Sequence, residues 1–427
     1  MNNFLKAYFW QWLTFAKKAA LRIVCGLGGI VLNFERAPSL KPVRRILVIH
    51  GEHASLGDAV LFSALLSPLR ERFPKVRIDV LMRHPAEEVL KFNPNIDEII
   101  PYHAEEKTNI LTQELAPLKI AANLRRRKYD MVITSEHALR FIFLSFLTGA
   151  PTRVGYDAQG RGFLLTCKVP YPEYEKRNRR ELEYYLDLVR ALGVEIAASR
   201  EMMKIHFSKS EAKFAAAFLK DARIGKNDLV IGIHAGGGIW KKRWPLYKFA
   251  KLADELIGKR GAKVIALGGK EDALLYEQIG RMMKKGKLIV AAGKCTVLET
   301  AALLENCHLV VCNDSAISHM AATTSAKVIA LFGVDSPARW GPFGNVSIMK
   351  HRRLPACNVL CNYDYLYALD ACFEPQTPFC MDRIGVGEVQ EAADRALRFR
   401  LKSRRTPNFP SKISKGLKAS WDKSLLS

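Results

Sequence analysis

The chain predicts an α/β protein built from two doubly wound parallel-sheet halves that face a central cleft. Three observations carry this. Short apolar runs of strand length alternate with stretches of helical periodicity from Arg45 to Phe332. Several of these runs end in polar or glycine-rich turns, at His50–Gly57, Ala235–Gly238, Gly268–Asp272 and Asn313–Ser315. A strand, a turn and a helix open each half, once at Arg45 and again at Leu229, which brings the loops at the carboxyl ends of both sheets to one side. A length of 427 residues allows two or three domains, each with a sizeable core.

In the first half, Arg45–Ile49 is a buried strand and His50–Leu56 a loop. Gly57-Asp58 then opens a helix over Ala59–Phe73, with Asp58 as its expected N-cap and Val60, Leu61, Ala64, Leu65 and Leu69 at helical spacing. Val76–Leu81 is a strand, Ala86–Phe92 a helix, Ile96–Ile100 a strand, Leu111–Arg127 a helix and Met131–Ser135 a strand. Ala150–Gly155 and Gly160–Gly162 read as loops, and the proline-bearing Pro170–Arg180 as a linker zone ahead of a helix at Glu181–Leu192.

The second half begins near Met203. Leu229–His234 is a strand followed by the loop Ala235-Gly236-Gly237-Gly238, then Lys241-Lys242-Arg243 and a helix from Pro245 to Ile257. Glycines admit a close backbone approach, and the cations beside them suit a diphosphate, although such a loop also serves as a plain turn. Lys263–Leu267 is a strand ending in Gly268, Gly269, Lys270, Glu271 and Asp272; Leu288–Ala291 follows, then a helix over Thr296–Asn306. Leu309–Cys312 is a buried strand broken by Asn313, Asp314 and Ser315, and Ile317–Thr323 continues as a helix. The backbone N–H groups around Ser315, Ala316, Ile317 and Ser318 then lie at a helix N-terminus, a ready phosphate site, with His319 one turn on. The plain alternative is a capped helix start with a core-facing His319. Val328–Phe332 is the last sheet strand read here, closed by Gly333 and the turn Trp340-Gly341-Pro342.

A formal net charge of +24 implies an acidic partner. No nucleic-acid-binding motif and no aromatic–basic stacking platform accompanies it, which leaves a membrane surface or an acidic glycolipid. Residues 1–34 hold no acid and place Phe4, Leu5, Tyr8, Phe9, Trp12 and Phe15 at helical spacing, a helix for the membrane interface or one packed on the protein itself. The apolar run Ile23–Leu32 is too short to span a bilayer. The tail from Arg395 is dense in Lys and Arg, a solvated end or a second electrostatic anchor. Nine cysteines, an odd number, without a cleavable leader predict reduced thiols in the cytosol. The spacing of Cys357, Cys361, Cys372 and Cys380 is not that of a zinc ribbon. Four regions result: an N-terminal membrane-interface segment (1–43), a first α/β domain (44–202), a second (203–394) and a basic tail (395–427).

Taken together, LVVCNDSAISHMAATTSAKVIALFGVDSPARWGP, IGIHAGGGIWKKRWP, VIALGGKED, RILVI, LGDAVLFSALLSPLRERFP and GAPTRVGYD resemble the ADP-heptose:lipopolysaccharide heptosyltransferases, glycosyltransferase family 9, from about Arg45 to Val389. The resemblance implies a GT-B fold of two Rossmann-like domains, with the acceptor on the first and the nucleotide-sugar donor on the second. It implies an inverting transfer of heptose from ADP-heptose to the lipopolysaccharide core, with no obligatory cofactor, at the cytoplasmic face of the inner membrane. Asp58 matches the catalytic aspartate, Lys242 the lysine that contacts the donor phosphate, and Asp314 the acid that binds the donor sugar, with Ser315 to His319 around the diphosphate. The acceptor falls to the loop bearing His50, His53, Ser55, Leu56 and Gly57. Ala316 stands where the family has glycine, and His50 where it usually has arginine.

The expected mechanism is a single displacement. Asp58 takes the acceptor proton, while Lys242, Lys241 or Arg243 and the helix start at Ser315 stabilise the departing diphosphate. No Asp-x-Asp metal motif lies in the donor region. His234, Gly236, Gly237, Gly238 and Gly268 complete the donor loop, and Glu271 and Asp272 are candidates for ribose or sugar hydroxyls. A relative using another nucleotide sugar or acceptor, a nucleotide-sugar-binding protein without catalysis, and a polyanion binder recognised by charge alone are the competing readings.

Overall fold

The computed structural model describes residues 42–52, 55–103, 119–171, 179–333, 335–344, 346–350 and 379–403. The expected helix of residues 1–34, His53, residues 404–427 of the basic tail, and Cys357, Cys361 and Cys372 lie outside the described residues.

Strands β1 (Arg45–His50), β2 (Arg77–Arg83), β3 (Glu98–Tyr102), β4 (Met131–Thr134), β5 (Thr152–Asp157) and β6 (Cys167–Pro170) form one parallel sheet in the order β3-β2-β1-β4-β5-β6. Strands β7 (Val230–His234), β8 (Lys263–Ala266), β9 (Ile289–Val290), β10 (Leu309–Asn313), β11 (Lys327–Phe332) and β12 (Val346–Lys350) form a second, in the order β12-β11-β10-β7-β8-β9. Each sheet winds outward from its first strand and then crosses back to lay its fourth beside it, the doubly wound order. The switch points, where strand direction of progress reverses, are β1/β4 and β7/β10. Ile46–Ile49 and Leu309–Cys312 are wholly buried, because crossover helices cover both faces of each sheet.

The helices of the first half are α1 (Leu56–Phe62), α2 (Leu66–Arg72), α3 (Ala121–Arg126), α4 (Leu139–Leu147) and α5 (Glu181–Arg190). Three expectations fail here. The helix expected over Ala59–Phe73 is two helices joined by a single 3-10 turn at Ser63–Leu65, and Pro68, which cannot donate a backbone hydrogen bond, sits in the first turn of the second. The N-cap of α1 is Ser55, not Asp58: the Ser55 hydroxyl accepts from the Asp58 backbone N–H at 3.3 Å, and Asp58 lies in the first helical turn. The segment Ala150–Gly155, read as a loop, supplies most of β5. Gly155 is required there by packing, since a Cβ would stand 2.6 Å from Thr134 Cγ2 on the neighbouring strand.

The second half carries α6 (Lys209–Asp221), α7 (Leu246–Arg260), α8 (Ala273–Met282), α9 (Val297–Leu304), α10 (Ala316–Ala322), α11 (Pro337–Trp340), α12 (Phe379–Asp382) and α13 (Val386–Ser403). Thr296 and Glu299 form a reciprocal capping box on α9. Val389, Ala392, Ala393 and Leu397 bury α13 against the second sheet's core, so the residues just past 394 are helical. The halves meet at several points. Arg339 Nε donates to Glu181 Oε2 at 2.6 Å, Arg180 Nη1 to the Gly341 carbonyl at 3.2 Å and Arg200 Nη1 to the Thr324 carbonyl at 3.1 Å.

Candidate functional site

The second switch point is organised by Asn313, the last residue of β10, which is fully buried. Its Nδ2 donates to the Ala235 and Gly236 carbonyls, both at 2.9 Å, and its Oδ1 accepts from Trp244 N at 2.9 Å. One amide thus clamps both ends of the glycine loop after β7. Arg243, a candidate cation for the phosphate, is turned back into this loop, with Nε and Nη2 on the Gly237 carbonyl at 3.0 and 2.6 Å. Gly237 has φ +140° and no atom within 4 Å of a would-be Cβ, and Gly238 is equally open, so the loop leaves space beside its backbone.

Lys242 follows in a single 3-10 turn. Its Nζ lies 2.9 Å from Asp314 Oδ2 and pairs also with Asp335, on the loop after β11. Burial alone would lower the ammonium's pKa, but the two carboxylates outweigh it and hold Lys242 charged. Asp314 is pushed up, by burial first and by the like charge of Asp335, against the pull of Lys242. The sequence-predicted pair Lys242 and Asp314 is therefore in contact, joined by a second acid that the motif GVDSP did not single out.

His234, at the end of β7, connects two further candidates. Its Nδ1 is 2.9 Å from Ser315 Oγ and its Nε2 is 3.3 Å from Asp272 Oδ2. Ser315 is the N-cap residue of α10, yet its side chain makes no capping hydrogen bond. Asp272 does not project toward open space. Its carboxylate accepts from Gly269 N at 2.9 Å and fills the room left by two glycines, since a Cβ on Gly236 would stand 1.8 Å, and one on Gly268 2.4 Å, from its oxygens. Burial raises the Asp272 pKa, but His234, the Gly269 N–H and Arg243 overcome it and leave the net shift downward. Glu271 is exposed at the same turn. In α10, Ile317 is buried, and buried Ser318 donates through Oγ to the Ser315 carbonyl at 2.7 Å. Ala316 lies at the first position of that helix. His319 is buried, its pKa pushed down to about 4 by burial and by Lys242, so it is a neutral imidazole. Its Nδ1 has no hydrogen-bond partner among the described residues, a polar atom open to a ligand.

The first half faces this cluster through α1. A Cβ on Gly57 would stand 3.1 Å from His319 Cδ2 and 3.3 Å from Ala316 Cα, so the helix turn bearing Asp58 packs directly on the start of α10. Asp58 is half-buried, with exposed Ser55 and half-buried Leu56 ahead of it. Behind it is the β1/β4 switch point. Buried His50 stacks on Phe62 at 4.5 Å between ring centroids, and its Nδ1 is 2.8 Å from Ser135 Oγ. Glu136 Oε1 accepts from Glu52 N at 3.0 Å and lies 3.5 Å from His50 Nδ1. Glu136 is wholly buried, and its pKa is pushed up to about 8, by burial first, with the charges of Glu52 and Asp58 adding to it against the Glu52 and Gly51 N–H groups.

Asn313, Asp335 and Glu136 escaped the sequence reading. Asn313 read as a strand breaker, and its side-chain clamp depends on a loop far away in sequence. Asp335 and Glu136 share a usable signal, an acid within a few residues of the carboxyl end of a parallel strand, where open sheets bind ligands.

A family model described as glycosyltransferase family 9 (heptosyltransferase) matches residues 118–357. A lipopolysaccharide heptosyltransferase 3 from Escherichia coli is 26% identical over 292 residues, covering 68% of this chain and 84% of that protein. The crystal structure of a family 9 glycosyltransferase from Veillonella parvula is 25% identical with a TM-score of 0.67, covering 83% of this chain and 98% of that one. The structure of E. coli ADP-heptose lipopolysaccharide heptosyltransferase II is 21% identical with a TM-score of 0.65, covering 84% and 99%. Two doubly wound sheets meeting through α1 and α10 are thus the GT-B arrangement, and with the family model spanning more than half of its length, the chain belongs to glycosyltransferase family 9 and is a glycosyltransferase.

Proposed function

We propose that this enzyme transfers a heptose, with inversion, from ADP-heptose to the lipopolysaccharide inner core. The donor occupies residues 203–394 and the acceptor residues 44–202. The observation that carries the reading is the close packing of Gly57 on His319 and Ala316. It sets the only acid of α1, Asp58, beside the half of the molecule that holds the half-buried cation Lys242. The names of the relatives, lipopolysaccharide heptosyltransferases that include an ADP-heptose-dependent one, support the choice of sugar, nucleotide and acceptor.

In this mechanism Asp58 accepts the proton of the acceptor hydroxyl as that oxygen bonds to the anomeric carbon. The bond from that carbon to the β-phosphate oxygen breaks, and ADP departs with the electron pair. Lys242 leaves Asp314 and Asp335 to meet the charge that grows on the diphosphate, and the orphaned His319 Nδ1 offers it a hydrogen bond. Asp314, released from the ammonium, binds a sugar hydroxyl. The acceptor is an acidic glycolipid, and the net charge of +24 favours residence on an anionic cytoplasmic membrane surface. Among the described residues no helix is long and apolar enough to cross a membrane.

Calorimetric titration with ADP, UDP and GDP tests the donor assignment. Micromolar binding of ADP alone, weakened at least tenfold by Lys242→Ala, is expected. A preference for UDP or GDP replaces the sugar nucleotide while keeping the chemistry, and no binding to any of the three removes the transferase site from this cleft.

A further inference from the structure

Ser315 sits where a helix-capping serine belongs, but its hydroxyl is given to His234 rather than to the helix. The other face of the imidazole is held by a carboxylate that Gly236 and Gly268 make room for. Asp272 stays ionised at neutral pH, so its Oδ2 accepts from the Nε2–H of His234. That settles one ring nitrogen and leaves Nδ1 to decide what Ser315 does. When Nδ1 is bare it accepts the serine proton, and Ser315 presents only lone pairs outward, which repel an anion. When Nδ1 carries a proton it donates to Oγ, and the serine O–H is released to donate elsewhere.

We propose that His234 is a proton-dependent positioning residue for the donor: a proton taken from solvent onto Nδ1 turns the Ser315 hydroxyl into a hydrogen-bond donor for the diphosphate. The inference rests on the donor reading above. The imidazolium also adds a positive charge beside Ser315, partly compensated by the Asp272 carboxylate on its other nitrogen. Donor binding and protonation of His234 thus reinforce one another.

The groups around His234 leave it as the switch. Tyr276, on α8, takes Ala235 N onto its hydroxyl at 3.0 Å, and burial pushes its pKa far up, so it stays neutral. Cys312, the register neighbour of His234 on β10, is likewise pushed up by burial and stays a thiol. Arg243 is committed to the Gly237 carbonyl, and Glu271 is exposed at the turn before Asp272. Lys242, with Asp314 and Asp335, forms a neighbouring cluster that could also take up a proton once its lysine is drawn to phosphate, and the experiment separates the two.

The experiment is calorimetry of ADP-glucose binding to the full chain near pH 8, in buffers of differing ionisation enthalpy. The diphosphate bridge of this probe has no proton to exchange near neutrality. Wild type is expected to take up close to one proton per probe bound, with Kd rising as the pH is raised. His234→Gln is expected to abolish the uptake. Ser315→Ala, which keeps the imidazole and removes only the hydroxyl, is expected to weaken binding near pH 6 by about tenfold and to flatten the pH profile. Uptake that persists in His234→Gln assigns the proton to the Asp314–Asp335 pair and overturns the proposal, as does a wild-type pH profile in Ser315→Ala. Absence of ADP-glucose binding to wild type counts against the donor reading instead, whereas binding without proton uptake counts against the relay alone.

Discussion

The two switch points use the same pair of residue types in the same place, and differ in one proton. In each half the first strand ends on a buried histidine whose Nδ1 meets a serine just past the fourth strand, at 2.8 Å for His50 and Ser135 and at 2.9 Å for His234 and Ser315. Ser135 donates its own proton to the Ile49 carbonyl at 3.1 Å, so it can only accept from His50. Among the described residues no carbonyl takes the Ser315 proton in this way, so its hydroxyl can reverse direction. The carboxylates diverge too. Glu136 is pushed up to about 8 in a wholly buried site beside other acids, while Asp272 is lowered by its histidine, a backbone N–H and an arginine. One topology therefore yields a locked scaffold behind Asp58 and a responsive polar surface beside Lys242. The difference arises from what surrounds each imidazole: His50 stacks on Phe62 and has Glu136 on the same nitrogen that meets Ser135, whereas His234 has Asp272 on its other nitrogen.

The sharpest way to break this division is Asp58→Asn. Turnover is expected to fall by about 10²–10⁴, the usual worth of a general base, while calorimetric donor affinity stays within twofold. A variant that loses donor binding as well would show that the halves do not divide the labour. Next is Asp335→Asn, which removes one of the two acids holding Lys242. Less negative charge beside the diphosphate is expected to tighten ADP binding by about three- to tenfold, read by titration at low salt, and weaker binding would mean that Asp335 aims the lysine rather than restraining it.

Glu136→Gln tests the locked side. The native pKa of about 8 lies above the ordinary 4.5, so the folded protein holds this proton more tightly than the unfolded chain does. The stabilisation this brings is full below the ordinary value and is lost as pH rises to about 8. Glutamine cannot ionise, so the variant's melting temperature relative to wild type should climb across that window. A difference that does not change with pH would mean that Glu136 is charged in the fold. The smallest effect is expected for Gly57→Ala. Alanine favours the helix by about 1 kcal/mol, but its methyl must fit 3.1 Å from His319 and 3.3 Å from the Ala316 backbone. Thermal stability should change little while turnover drops a few-fold, because the two halves are wedged apart where Asp58 and α10 meet.

Most elements of the fold were legible in the chain. Leu309–Asn313 is a strand because a buried parallel strand needs an unbroken apolar run, and α9 starts at Val297 because Thr296 and Glu299 can cap it. The errors occur where a local signal was outweighed. Gly155 and Pro151 made β5 look like a loop, yet the glycine is there to clear Thr134. Asp58 has the right type for an N-cap, but Ser55 takes that role. In the site, Lys242 and Asp314 could be named from motif order, whereas Asp335, Asn313 and Glu136 act through partners that lie far along the chain.

By itself the sequence determined the alternation of strands and helices, the two-halved plan, the strong positive charge and the short motifs at the strand ends. These depend on side-chain type and spacing within about a dozen residues, and such local preferences survive in any fold that buries the apolar face. Only the tertiary structure decided which cation is presented and which is turned inward, since Lys242 is met by acids from two other loops and Arg243 by a carbonyl of its own. It also decided that Asp272 packs against two glycines and that the two histidine–serine pairs have different freedom. Charge state and hydrogen-bond direction are set by whatever lies within a few ångströms, and at a switch point those neighbours come from strands that are distant in sequence and adjacent only once the sheet has formed.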